Sequence, residues 1–189
     1  LKYECVSLID RVRLAVLVNA LKAAYGYNVE GDIVECGVYK GGSAKLISMN
    51  SNETDEIHLF DSFEGMPEND DPCNHPKGSF DDVDYNTIKK VFVNDSRIHI
   101  HKGFIPDIFA ELDPKKKYKF VHIDVDLAQT TLDCLEYFYP KVSKNGVIIC
   151  DDYGFMRYDL TREYCNKFFE DKGDEMCLCH SGQGYVIKK

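Results

Sequence analysis

The sequence predicts an α/β domain built on a mostly parallel sheet, with helices on both faces and an antiparallel last strand. Short apolar runs alternate with helix-spaced segments along the chain. The runs, such as DIVECGV (32–38) and NGVIICD (145–151), are almost continuously apolar, as strands covered on both faces are. The last two, EMCLCH (175–180) and GYVIKK (184–189), are separated only by SGQG, which permits a hairpin.

Segment 7–25 places Leu8, Val12, Leu14, Val16, Leu17, Leu21 and Ala24 on mostly helical spacing, and Gly26 follows as a stop. Strand 32–38 then leads to helix 43–50, and strand 56–61 to a long loop. That loop, 62–81, is polar, rich in turn formers and without periodicity, which reads as a lid. Helical pattern 82–93 precedes strand 97–101, and 105–111 precedes strand 118–124. Helix 127–138, strand 145–151 and helix 158–170 complete the alternation before the hairpin.

At 189 residues, 44% hydrophobic and 29% charged, the chain supports one domain spanning 1–189 with a packed core. A formal charge of −9 argues against nucleic-acid or anionic-membrane partners, which need a cationic face. No apolar run approaches the roughly 20 residues that cross a bilayer. Leu1 in place of methionine leads us to expect numbering that starts inside a longer chain. The cysteines (Cys5, Cys36, Cys73, Cys134, Cys150, Cys165, Cys177, Cys179) are scattered, several within apolar strands, as free thiols of a reducing cytoplasm are. Cys177 and Cys179 lack the second pair that a zinc site needs.

In an open parallel sheet, ligands bind beyond the carboxyl ends of the strands. The first strand ends in Glu35-Cys36-Gly37-Val38-Tyr39-Lys40-Gly41-Gly42-Ser43, a glycine-bearing turn into a helix. It is neither G-x-G-x-x-G nor a phosphate loop, so a small carboxylate on the amides of Gly41 to Ser43, with Glu35 taking an ammonium group, fits better than pyrophosphate. The plain tight turn stays open as an alternative. Asp61 ends the second strand where ribose-binding acids sit, and Ser62 and Phe63 follow to line an adenosine pocket.

His122, Asp124 and Asp126 alternate at the end of the fourth strand, and period 2 puts them on one face. Asp151 and Asp152 end the fifth. If those strands are neighbours the carboxylates converge, and a hard divalent cation such as Mg²⁺ would relieve their repulsion; helix caps and solvated loop acids are the plainer alternative. His99 and His101 share a strand face and read as satisfied or exposed histidines, while His122, nearer the acids, reads either as a hydrogen-bond partner of an Asp or as a base. Lys115 to Lys117 read as a solvated loop, and His58, His75 and His180 carry no assigned role.

Together, DIVECGVYKGGS, LFDSFEGMP and HIDVDLAQTTLDCLEYFYPKVSKNGVIICDDYG resemble the macrocin O-methyltransferase family, with the likeness running from about residue 8 to the C-terminus. The resemblance implies a Rossmann-like class I methyltransferase sheet of seven strands, S-adenosylmethionine as methyl donor and Mg²⁺ as cofactor. It implies Glu35, Gly37 and Tyr39 against the methionine part of the donor, Asp61 and Ser62 at its ribose and adenine, and Gly103 and Phe104 as the far wall. It further implies Asp124, Asp151 and Asp152 as metal ligands and a sugar hydroxyl on a natural product as acceptor; in the mechanism that follows from it, a carboxylate such as Asp124 takes the acceptor's proton. A homo-oligomer is compatible with it. The chain departs from the family where Asp126-Leu127-Ala128-Gln129-Thr130 replaces the usual Asp-Leu-Tyr-Glu-Ser. Two other readings compete: a glycosyltransferase using Asp124 and Asp126 as a D-x-D pair, and a cofactor-binding module without catalysis.

Overall fold

The computed structural model describes residues 7–69, 75–155 and 159–189. Helix α1 (Arg11–Gly26) opens the fold, followed by β1 (Asp32–Cys36), α2 (Gly42–Met49), β2 (Ile57–Asp61), α3 (Tyr85–Val91) and β3 (Ile98–Lys102). A 3-10 turn (Asp107–Glu111) leads to β4 (Tyr118–Ile123), α4 (Ala128–Phe138), β5 (Val142–Cys150), α5 (Asp159–Phe169), β6 (Cys177–Leu178) and β7 (Gly184–Ile187). The seven strands form one sheet in the order β3-β2-β1-β4-β5-β7-β6. Strands β1 to β5 pair in parallel, and β7 runs antiparallel to both β5 and β6.

Strand alternation sorts the core into two layers. Ile33, Ile57, Leu59, Phe120, Val147 and Ile149 face α1, α2 and α3, packing on Leu17, Leu21, Ile47 and Ile88. Val34, Phe60, Val121, Ile123 and Ile148 point the other way, onto Cys134, Leu135 and Phe138 of α4 and Cys165 and Phe169 of α5. Burying side chains such as Phe60, Phe120 and Phe138 completely stabilises the fold by about 1.5–3 kcal/mol each. The sheet is therefore covered on both faces, which explains why its strands lack polar alternation.

Several boundaries differ from expectation for local reasons. Helix α1 starts at Arg11, not residue 7, because extended Asp10 caps it, accepting from the amides of Val12 (2.8 Å) and Arg13 (3.0 Å). Asp84 caps α3 in the same way. Strand β4 ends at Ile123, so Asp124 and Asp126 lie beyond regular pleat, and Asp126 adopts a left-handed φ of 59°. The expected loop 62–81 and helix 158–170 fall partly, and Cys5 and Cys73 wholly, outside the described residues. Within the described part of that loop, Met66 N–H donates to Ser79 (2.8 Å) and Gly78 N–H to Met66 (2.9 Å).

Candidate active site

The carboxyl edge of the sheet is built around the end of β1. Gly37 N–H donates to the Phe60 carbonyl and Asp124 N–H to the Cys36 carbonyl, both at 2.9 Å, which locks β1 between β2 and β4. Gly37 takes φ 86°, and a Cβ there would stand 1.8 Å from the Asp124 carbonyl oxygen, so only glycine fits this approach. Gly41, at φ 77°, turns the chain into α2 without a side-chain cap. The Asp61 carboxylate holds the same turn from below. Its Oδ2 accepts from Val38 (2.8 Å) and Tyr39 (2.9 Å), and its Oδ1 accepts from Phe63 (2.7 Å). Tyr39 in turn donates its hydroxyl to Asp82 at 2.8 Å.

These elements surround a cavity of about 400 Å³. Gly37, Tyr39, Ser43, Asp61, Ser62, Gly103 and Phe104 line it, together with Asp124 and Asp152. Glu35, Gly41, Phe63 and Asp151 do not. Glu35 is fully buried and holds Nδ1 of His122 at 2.9 Å, because the two are register partners on adjacent strands. Gly41 shapes the turn from behind and packs toward Phe92, while Phe63 is buried against Tyr85. These three, read from sequence as donor contacts, stand behind the lining of the cavity in this structure.

Opposite Asp61, the ends of β4 and β5 gather acids. His122, Asp124 and Asp151 each bring one ligand atom within 4.8 Å of the others. Asp151 is fully buried: its Oδ1 accepts from Gln183 Nε2 (2.7 Å) and lies 3.6 Å from His122 Nε2, and its Oδ2 pairs with Arg13. Asp152 accepts from the Asp126 amide at 3.2 Å, and Asp126 Oδ1 lies 3.5 Å from His75 Nε2. Withdrawal from water and repulsion by Asp151 raise the Asp124 carboxyl well above the usual range; burial and Asp124 do the same to Asp152. Burial opposes charge on His122, but the adjoining Asp151 and Glu35 carboxylates overcome it and push its pKa up to about 10. His122 Nε2 and Glu35 Oε2 remain buried without a hydrogen-bond partner. An oxygen-rich donor set this crowded suits a hard divalent cation better than a soft one.

Sequence reasoning placed Asp126 among the acids but missed Arg13, Gln183 and His75 as members of this site. The one available signal was Arg13, a charged residue inside the otherwise apolar face of α1.

A parallel sheet with a reversed strand β7, a glycine turn after β1, an acid after β2 and a cavity at that edge define a class I S-adenosylmethionine-dependent methyltransferase. The solved structure of the O-methyltransferase NovP has this architecture: TM-score 0.75, 26% identity, 97% of this chain and 82% of that one covered. The sequence profile of the Macrocin-O-methyltransferase (TylF) family matches residues 3–176, and the chain belongs to that family. Demethyldecarbamoylnovobiocin O-methyltransferase of Streptomyces niveus is 28% identical over 187 residues, covering 90% of this chain and 71% of that protein. The 8-demethyl-8-(2,3-dimethoxy-alpha-L-rhamnosyl)-tetracenomycin-C 4'-O-methyltransferase of Streptomyces olivaceus is 26% identical over 162 residues. That match covers 78% of this chain and 62% of the relative, so the chain spans less than two thirds of its length. No described helix is long and apolar enough to cross a membrane.

Proposed function

We propose that this chain methylates a hydroxyl on the sugar of a glycosylated small molecule, with Mg²⁺ held by Asp124, Asp151 and Asp152. The observation that carries this reading is that one cavity is lined both by the glycine turn with Asp61 and by Asp124 with Asp152. The rhamnosyl group in the name of the Streptomyces olivaceus relative supports a sugar as acceptor.

The uncapped start of α2 at Gly42 and Ser43 offers amides to the donor's carboxylate, and Asp61 and Ser62 offer acceptors and donors to its ribose. Gly103 and Phe104 close the far side. Glu35, Gly41 and Phe63 act as positioning residues, through His122, the turn and the Tyr85 contact respectively. A divalent cation held by Asp124, Asp151 and Asp152 would supply Lewis acidity that makes the acceptor hydroxyl easier to deprotonate. The hydroxyl proton passes to a carboxylate oxygen of Asp124 as the oxygen attacks in line, exchanging a carbon–sulfur bond for a carbon–oxygen bond. Alignment within the cavity accounts for about 7–11 kcal/mol of barrier lowering in well-oriented systems. Asp124→Ala should lose methyl transfer at least a hundredfold, with S-adenosylhomocysteine affinity by calorimetry within threefold of the unaltered protein. Wild-type turnover in that variant would refute the assignment.

A further inference from the structure

Arg13 carries positive charge into the acidic cluster from a different part of the fold. It sits in the first turn of α1, lines the cavity and is only 17% exposed in its side chain. Nη1 pairs with Oδ2 of the fully buried Asp151, and the guanidinium carbon stands 5.1 Å over the Phe155 ring. Its Nε lies 3.3 Å from Oδ2 of Asp10, the exposed acid that caps the same helix. The guanidinium thus bridges two carboxylates of unlike environment, one at the heart of the cluster and one at the surface.

An arginine bound to a carboxylate satisfies it electrostatically in the same manner as a metal would, and two cations at one carboxylate repel. We propose that Arg13 is the internal counter-ion of Asp151 and that a divalent cation entering the cluster displaces it toward Asp10, coupling cation occupancy to the seating of the first turn of α1. This rests on the cation site proposed above. Release leaves the guanidinium with a partner, because Asp10 is already within reach. It also releases the first turn of α1 from its tie to the sheet at Asp151, leaving the local Asp10 contacts, Oδ1 on the helix amides and Oδ2 on the guanidinium, which loosens the seating of the turn.

The test is Mg²⁺ titration by calorimetry in the presence of S-adenosylhomocysteine, on the unaltered chain, Arg13→Gln and Arg13→Lys. Removing the charge should tighten Mg²⁺ at least tenfold, while the lysine variant should stay within threefold of the parent. In the unaltered protein, amide exchange at residues 12–16 should quicken at saturating Mg²⁺ relative to EDTA, a readout that needs no variant to fold. Equal or weaker Mg²⁺ affinity in Arg13→Gln, or exchange that is unchanged or slowed, overturns the coupling. Equal binding by parent and glutamine variant removes only this inference; no binding by either removes the cation site as well.

Discussion

Gly37→Ala is the sharpest perturbation of the candidate site. Alanine at φ 86° costs about 1–2 kcal/mol in backbone strain alone. The new Cβ would then stand 1.8 Å from the Asp124 oxygen and 2.7 Å from its carbonyl carbon, both backbone atoms that cannot swing aside. Forcing β1 and β4 apart adds about 1–3 kcal/mol of overpacking and moves Asp124 itself. The expected loss is about 2–5 kcal/mol in urea unfolding, with S-adenosylhomocysteine binding weakened more than tenfold. Gly173→Ala is the control, since Gly173 has φ 71° with no atom within 4 Å of a Cβ, and should lose only about 1 kcal/mol. Equal destabilisation of the two variants would refute the argument that close approach, and not backbone conformation, fixes glycine at position 37.

Asp61→Asn turns one acceptor oxygen into a donor facing backbone N–H groups of Val38, Tyr39 or Phe63, and should weaken S-adenosylhomocysteine binding roughly ten- to hundredfold by calorimetry. An unchanged affinity would separate Asp61 from the cofactor. Lys119→Met leaves Asp55 buried without the ammonium 2.7 Å away, and urea unfolding should register a loss of about 3–5 kcal/mol; a loss below 1 kcal/mol would contradict the pairing. Burial, with His58, His99 and Lys116 nearby, lowers His101 to about 4, although Glu111 lies 3.9 Å from its Nδ1. The unfolded chain protonates this ring near 6.5, so His101 withdraws stability as pH falls from about 6.5 to about 4. After discounting for solvent screening, that contribution is roughly 1–2 kcal/mol, and His101→Phe should remove it from the pH profile. Parallel profiles of parent and variant would exclude it.

The order of elements was legible because each strand is a short apolar run closed by turn formers, and each helix shows its own period. Neighbourhood was partly legible: the SGQG turn implied the β6–β7 hairpin, and consecutive elements implied β4 beside β5. What stayed hidden was set by residues far apart in the chain. Glu35 reads as a ligand-facing acid until its neighbour is known to be His122, 87 positions on, which draws it into the interior. The regular pleat expected to align His122, Asp124 and Asp126 ends at Ile123, where the chain turns through a left-handed Asp126, although His122 and Asp124 still converge. Gln183 sits in the SGQG turn and Arg13 is one charge in the apolar face of α1, but neither local context identifies Asp151, the carboxylate that both reach.

That shared destination has a temporal meaning. Asp151 is gripped by the first helix through Arg13 and by the final hairpin through Gln183, so its setting is finished only when both are in place. A growing polypeptide still short of position 183 can zip its central strands while this carboxylate lacks one of its two restraints. Competence at the acidic rim would then follow the emergence of position 183, after strands β1 to β5 that form the scaffold beneath it.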